Sequence, residues 1–118
     1  MRLSIAAVVA TFLAGFAAVT ERAAGEETRR FDLRIENGRL VGDLKTVRVR
    51  RNDTVEINWS ADRRTAIHLH GYHIETVVDA GTPGTMAFRA RATGRFPIET
   101  HDRAGRHRTL IYLEVHPR

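Results

Sequence analysis

The chain has 118 residues, 42% of them hydrophobic and 28% charged, with no cysteine and a net charge of +5. That length suits one domain. The missing cysteine excludes thiolate nucleophiles, dithiol redox chemistry and soft thiolate ligands, and the core must hold without disulfides. The basic charge is almost all arginine and is spread over every segment among Asp and Glu. No aromatic residues interleave with it, so no nucleic-acid platform is expected.

Met1-Arg2 is followed by an uncharged run from Leu3 to Thr20, then Glu21-Arg22 and the small residues Ala23-Ala24-Gly25. This is the layout of a secretory signal peptide. A retained transmembrane anchor is the alternative, disfavoured because alanine makes the run only moderately apolar. The expected organisation is a leader over residues 1–25 and one domain over residues 26–118, periplasmic or secreted, with no stable membrane insertion after cleavage.

Beyond the leader the pattern is one of short strands. Phe31 to Ile35 alternates apolar and polar, as a strand with one buried face does. Asn37-Gly38 is the preferred two-residue hairpin turn, and Leu40-Val41 begins the return. Val47 to Arg50 alternates, Asn52-Asp53 turns, and Val55 to Trp59 alternates again. Ser60 to Arg64 reads as a loop. Ala66 to His70 is extended, Tyr72 to Val78 is a β-branched run, and Gly81, Pro83 and Gly84 mark a turn. Met86 to Ala90, Phe96 to Ile98 and Leu110 to Val115 complete the set, with Pro97 pointing to an edge strand. No segment after the leader carries a helical period. Seven or eight short strands with turns between them give an expected all-β fold, a β-sandwich or barrel.

Chemistry concentrates in the histidines. Three of the six, His68, His70 and His73, fall within one short stretch. His68 and His70, two apart on a strand, share a face, and Gly71 follows where the chain can bend. His101 and His107 bracket a polar loop further on. Converging imidazoles are metal ligands, suited to Cu(II) and less selectively to Zn(II). His70, His101, His107 and His68 are therefore the candidate ligands. Glu99 and Asp102 are candidate second partners that fix an imidazole tautomer, although salt-bridging to arginine is the commoner role. Tyr72 covers the site or simply packs. His73 and His116 read as surface histidines. Neither Ser4 nor Ser60 has a nucleophile setting, and there is no phosphate loop.

Several segments in this order resemble the cupredoxins, the family of plastocyanin and azurin. Asn52-Asp53-Thr54-Val55 is similar to their Gly-Asp-Thr-Val turn, and Thr93-Gly94-Arg95-Phe96 to their Pro-Gly-Thr-Tyr turn before the ligand loop. His68-Leu69-His70-Gly71 resembles the His-Trp-His-Gly motif of multicopper oxidases. The resemblance covers roughly residues 31–117 and implies a Greek-key sandwich with copper bound at its loops. It breaks at one place: Thr100 stands where the blue-copper cysteine belongs, and no methionine follows. The resemblance therefore implies a copper protein without a blue site. Its expected role is copper storage, delivery or tolerance, in contact with a periplasmic copper-handling or redox protein. A binder is favoured over an enzyme. The alternatives are a small copper oxidoreductase and a metal-free interaction module.

The leader generates a direct test. Mass spectrometry of the native protein should find a first residue between Glu21 and Glu26; a mature chain retaining Met1 would point to the anchor.

Overall fold

The computed structural model describes residues 27–118. The expected leader, including the run from Leu3 to Thr20, lies outside the described residues. Nine strands are present among those described: β1 (Thr28–Glu36), β2 (Arg39–Leu40), β3 (Thr46–Arg50), β4 (Thr54–Ala61), β5 (Thr65–Leu69), β6 (Ile74–Val78), β7 (Gly84–Arg89), β8 (Gly94–His101) and β9 (His107–His116). They form two mixed sheets, one ordered β2-β1-β4-β7 and the other β3-β9-β8-β5-β6. β1 runs parallel to β4 and β3 parallel to β9, and the other pairings are antiparallel. The chain repeatedly crosses from one sheet to the other, as a Greek-key sandwich requires.

The alternation seen in the sequence explains the layers. On β4, Val55, Ile57, Trp59 and Ala61 all turn inward and are buried. Leu33 and Ile35 on β1, Val47 and Val49 on β3, Ile67 and Leu69 on β5, and Leu113 and Val115 on β9 meet them from their own sheets. Asn37 and Gly38 both take positive φ, 52° and 74°, as a two-residue hairpin between β1 and β2 needs. Asp53 closes the β3–β4 turn: its carboxylate accepts the Arg50 amide at 2.9 Å and pairs with the Arg118 guanidinium.

Three details depart from the sequence pattern. β4 continues through Ser60 and Ala61, shortening the expected loop to Asp62–Arg64. Tyr72 and His73 belong to a turn joining β5 to β6, closed by the Leu69–Ile74 pair, and not to the strand after it. Pro97 lies on β8, between β9 and β5, and not on an edge. It is tolerated because the β5 ladder ends there: the last register pair is Leu69–Ile98, and beyond it the Pro97 carbonyl accepts the His70 amide at 3.1 Å. The missing proline N–H points to the same side as that carbonyl, past the end of the partner strand.

The β5–β6 turn is locked against an aromatic ring. Gly71 has φ +85°, and a Cβ built there would stand 2.5 Å from Phe96 Cδ1. Phe96 packs in turn on Tyr72, ring centroids 5.1 Å apart. Gly71→Ala should therefore destabilise the fold by about 3 kcal/mol, combining left-handed backbone strain with a clash. Gly81→Ala, at φ +73° with nothing within 4 Å, should cost only the backbone part, about 1 kcal/mol. Urea unfolding midpoints of the two variants provide the comparison.

Candidate metal centre

The imidazoles lie on the outward face of the β3-β9-β8-β5-β6 sheet. β5 sends Ile67 and Leu69 inward and His68 outward; His70 follows at the first residue of the turn. β8 sends Ile98 and Thr100 inward and Glu99 and His101 outward. The register sets His68 opposite Glu99 and His101 opposite His107. His101 and His107 are thus paired strand residues, and only residues 102–106 form the loop between them.

A bulge places His107. Val115, Leu113 and Ile111 alternate inward along β9, but Leu110 is buried as well. The register jumps from Ile98–Ile111 to Glu99–Thr109, leaving Leu110 without a partner. One extra residue reverses which face the rest of the strand presents. Without it, strict alternation from Ile111 would turn His107 toward the core. The adjacent apolar pair Leu110-Ile111, interrupting an otherwise alternating strand, is the sequence signal of this bulge.

Four imidazoles and one carboxylate result. Ring centroids are 4.5 Å apart for His68 and His70, 6.2 Å for His70 and His107, 4.2 Å for His101 and His107, and 6.3 Å for His68 and His101. Glu99 stands among them. His70 Nε2 and His107 Nδ1 both donate to Glu99 Oε2, at 2.8 and 3.0 Å. A carboxylate only accepts, so both ring nitrogens carry the proton in these bonds. The Glu99 side chain is 16% exposed. Burial pushes its carboxyl upward, but the hydrogen bonds and charges of His107 and His70 together outweigh that and hold it below the usual range.

His70, Glu99 and His107 each offer one ligand atom, and these atoms lie within 4.8 Å of one another. Two imidazoles and a carboxylate are a borderline nitrogen and oxygen donor set, which fits Cu(II) or Zn(II). His68 Nδ1 is buried and has no hydrogen-bond partner, a cost that a ligand to the cluster would relieve. The sequence reading set Glu99 behind an imidazole; in the structure its carboxylate sits between two.

Asp102 and Tyr72 make contacts outside the cluster. Asp102 binds within its own loop: Oδ1 accepts the Ala104 and Arg106 amides, both at 2.9 Å, and Oδ2 accepts Arg106 Nε at 2.7 Å. The Arg106 amide, more than the Arg106 guanidinium, holds the Asp102 carboxyl below its usual range. Tyr72 donates its hydroxyl to the Ala92 carbonyl at 2.8 Å and packs on Phe88 and Phe96. His73 sits in the turn at φ 54°, and His116 bonds Glu114 at 3.0 Å. Thr100 faces the core, across the strand from Glu99 and His101.

No family model matches the chain, and no curated protein matches it in sequence. Solved structures do match it in shape. A multicopper oxidase superposes with a TM-score of 0.63 at 21% identity, over 77% of this chain and 39% of its own. The blue copper oxidase from Nitrosomonas europaea gives 0.63 at 20%, over 78% and 40%. The copper nitrite reductase from Nitrosomonas europaea gives 0.60 at 17%, over 78% and 42%. The chain therefore spans less than half the length of each of these three. The likeness shows the fold: a cupredoxin-like β-sandwich, here without the blue-copper cysteine.

The Asp102 loop generates a test of how the β8–β9 turn is held. Asp102→Ala should speed hydrogen exchange at the Ala104 and Arg106 amides by roughly tenfold. The Tyr112 amide, bonded to the Lys45 carbonyl at 3.1 Å, should be unchanged.

Proposed function

We propose that this domain binds a Cu(II) ion through His70, His107 and Glu99, with His68 and His101 beside them, and serves copper storage, delivery or tolerance outside the cytoplasm. The observation that carries the reading is the set of three ligand atoms within 4.8 Å, brought together from the β5–β6 turn, β8 and β9. The orphaned His68 Nδ1 supports it, as do the copper proteins among the structural neighbours. Bound copper supplies a Lewis-acidic centre with a redox couple. The chain's own groups supply neutral imidazole donors and an anionic oxygen that lowers the charge of the site. His70 and His107 must give up the protons they now donate to Glu99 before those nitrogens can bind a metal. The extracellular or periplasmic setting rests on the leader.

A second reading is a small copper oxidoreductase. Its support is that the His107 side chain is 56% exposed, so an outside molecule can reach the centre, and that the structural neighbours are named as oxidases and a reductase. Turnover of a phenol or of superoxide by the copper-loaded protein separates it from the binding role. A metal-free interaction module is the third reading, and it requires that the imidazoles bind nothing.

Calorimetric titration of metal-free protein with Cu(II) decides between binding and that third reading. The copper protein should be pale, because no thiolate is present to give an intense blue band. Affinity should fall as pH drops below about 6.5, the free histidine value, because protons compete for the ligand nitrogens. His70→Ala should weaken binding by tenfold or more, on the order of losing one ligand or its close support. His116→Ala should leave binding unchanged. Equal affinity in the two variants would mean that the cluster is not the site.

A further inference from the structure

Beside the imidazole cluster, the β8–β9 end of the sandwich opens into a cleft of about 310 Å³. Its walls carry Arg63 and Arg64 on one side and Arg103, Arg106 and Arg108 on the other. Thr100, His101 and His107 also line it, and Asp102 is its one carboxylate. On the sheets, Arg30 is paired with Glu56 at 2.8 Å, Arg34 with Glu36 at 2.9 Å and Arg48 with Glu114 at 3.7 Å. Within the cleft, Arg63 lies 3.5 Å from Asp62, Arg64 lies 2.8 Å from Asp79, and Arg106 is held by Asp102. Arg103 and Arg108 have no carboxylate partner among the described residues. The concave end of the molecule thus holds more cation than its own acids neutralise.

We infer that this cleft binds a small tetrahedral oxyanion of the phosphate type, held by Arg103 and Arg108 at the mouth of the imidazole cluster. Guanidinium forks match pairs of oxyanion oxygens, and a tetrahedral anion offers such pairs in more than one plane. Concave walls of one charge sign focus the field and raise the local concentration of a counter-anion. The occupant is small because the cleft holds only about 310 Å³. A nucleic acid would also need exposed aromatic stacking surfaces, and Trp59 is fully buried. The inference goes beyond copper binding: His107 lines this cleft and also belongs to the metal cluster, so anion and metal would be neighbours at one opening.

The test is calorimetric titration of inorganic phosphate into the metal-free full-length protein at low ionic strength. Because no metal is present, the outcome does not depend on whether the imidazoles hold copper. One phosphate should bind per chain. The double variant Arg103→Gln/Arg108→Gln should bind it at least roughly tenfold more weakly, as losing charge-assisted hydrogen bonds implies. Arg30→Gln/Arg34→Gln removes the same charge from the other sheet and should stay within about twofold of the parent, the residue of long-range attraction after screening. These positions are all exposed, so both variants should fold, and matching thermal midpoints check it. No detectable binding overturns the inference, and so does equal weakening in the two double variants, which would mean diffuse charge attraction without a site.

Discussion

Alternation along β5 and β8, matched by a β9 that alternates on either side of one bulge, is the constraint on which both the core and the imidazole face depend. Ile67, Leu69, Ile98 and Leu113 are each fully buried, and burial of such a side chain stabilises by about 1.5–3 kcal/mol. The residues between them point the other way, into water. A one-residue slip of β5 or β8 would drive His68 or Glu99 into the core and expose isoleucine in exchange. In a chain with no disulfide to fall back on, that penalty pins the register. The histidines are aligned because the aliphatic residues are, and the face they form costs the core nothing.

The polar face has its own internal balance. Imidazoles placed this close repel one another whenever more than one is protonated. The Glu99 carboxylate between His70 and His107 offsets that repulsion, and the lowered pKa of Glu99 is its sign. A carboxyl whose acidity is raised on folding contributes stability above its ordinary range, and the contribution fades as pH falls through the lowered value. The same oxygen that organises the metal-free cluster is the acidic donor that a cation would meet.

Most of this was legible in the residues, for a physical reason. Alternation reports burial directly, so the inward residues of β1, β3 and β4 and the Asn37-Gly38 hairpin follow from pattern and turn chemistry alone. The convergence of His68 and His70 follows from their spacing, and the meeting of the two histidine regions from the resemblance to cupredoxins. Pairing, by contrast, is a long-range property. Pro97 looked like an edge residue because its missing N–H says nothing about where the neighbouring strand stops. Tyr72 and His73 looked extended because residue type does not reveal that Gly71 must leave room for the Phe96 ring. Glu99 was seen only as a supporting partner, since nothing local shows that two strands will aim imidazoles at one of its oxygens. The unbalanced arginines were hidden by their even spread along the chain. Only folding brings the Asp62–Arg64 connection up to residues 102–108.

The unpaired Leu110 carries a consequence for how such a chain tolerates changes of length. Residues 102–106 form a loop outside the ladder, where an added or lost residue alters only the path between two strands whose pairing stays fixed. Loss of one residue at Leu110 would leave the loop intact and rotate everything from Thr109 back to His107 onto the other side of the sheet. Two deletions of equal size, a few positions apart, would thus have opposite fates for the imidazoles, one that leaves their pairing in place and one that dismantles the cluster. The site has a reading frame of its own, two residues long, and it is kept by a leucine that touches none of the imidazoles in any described contact.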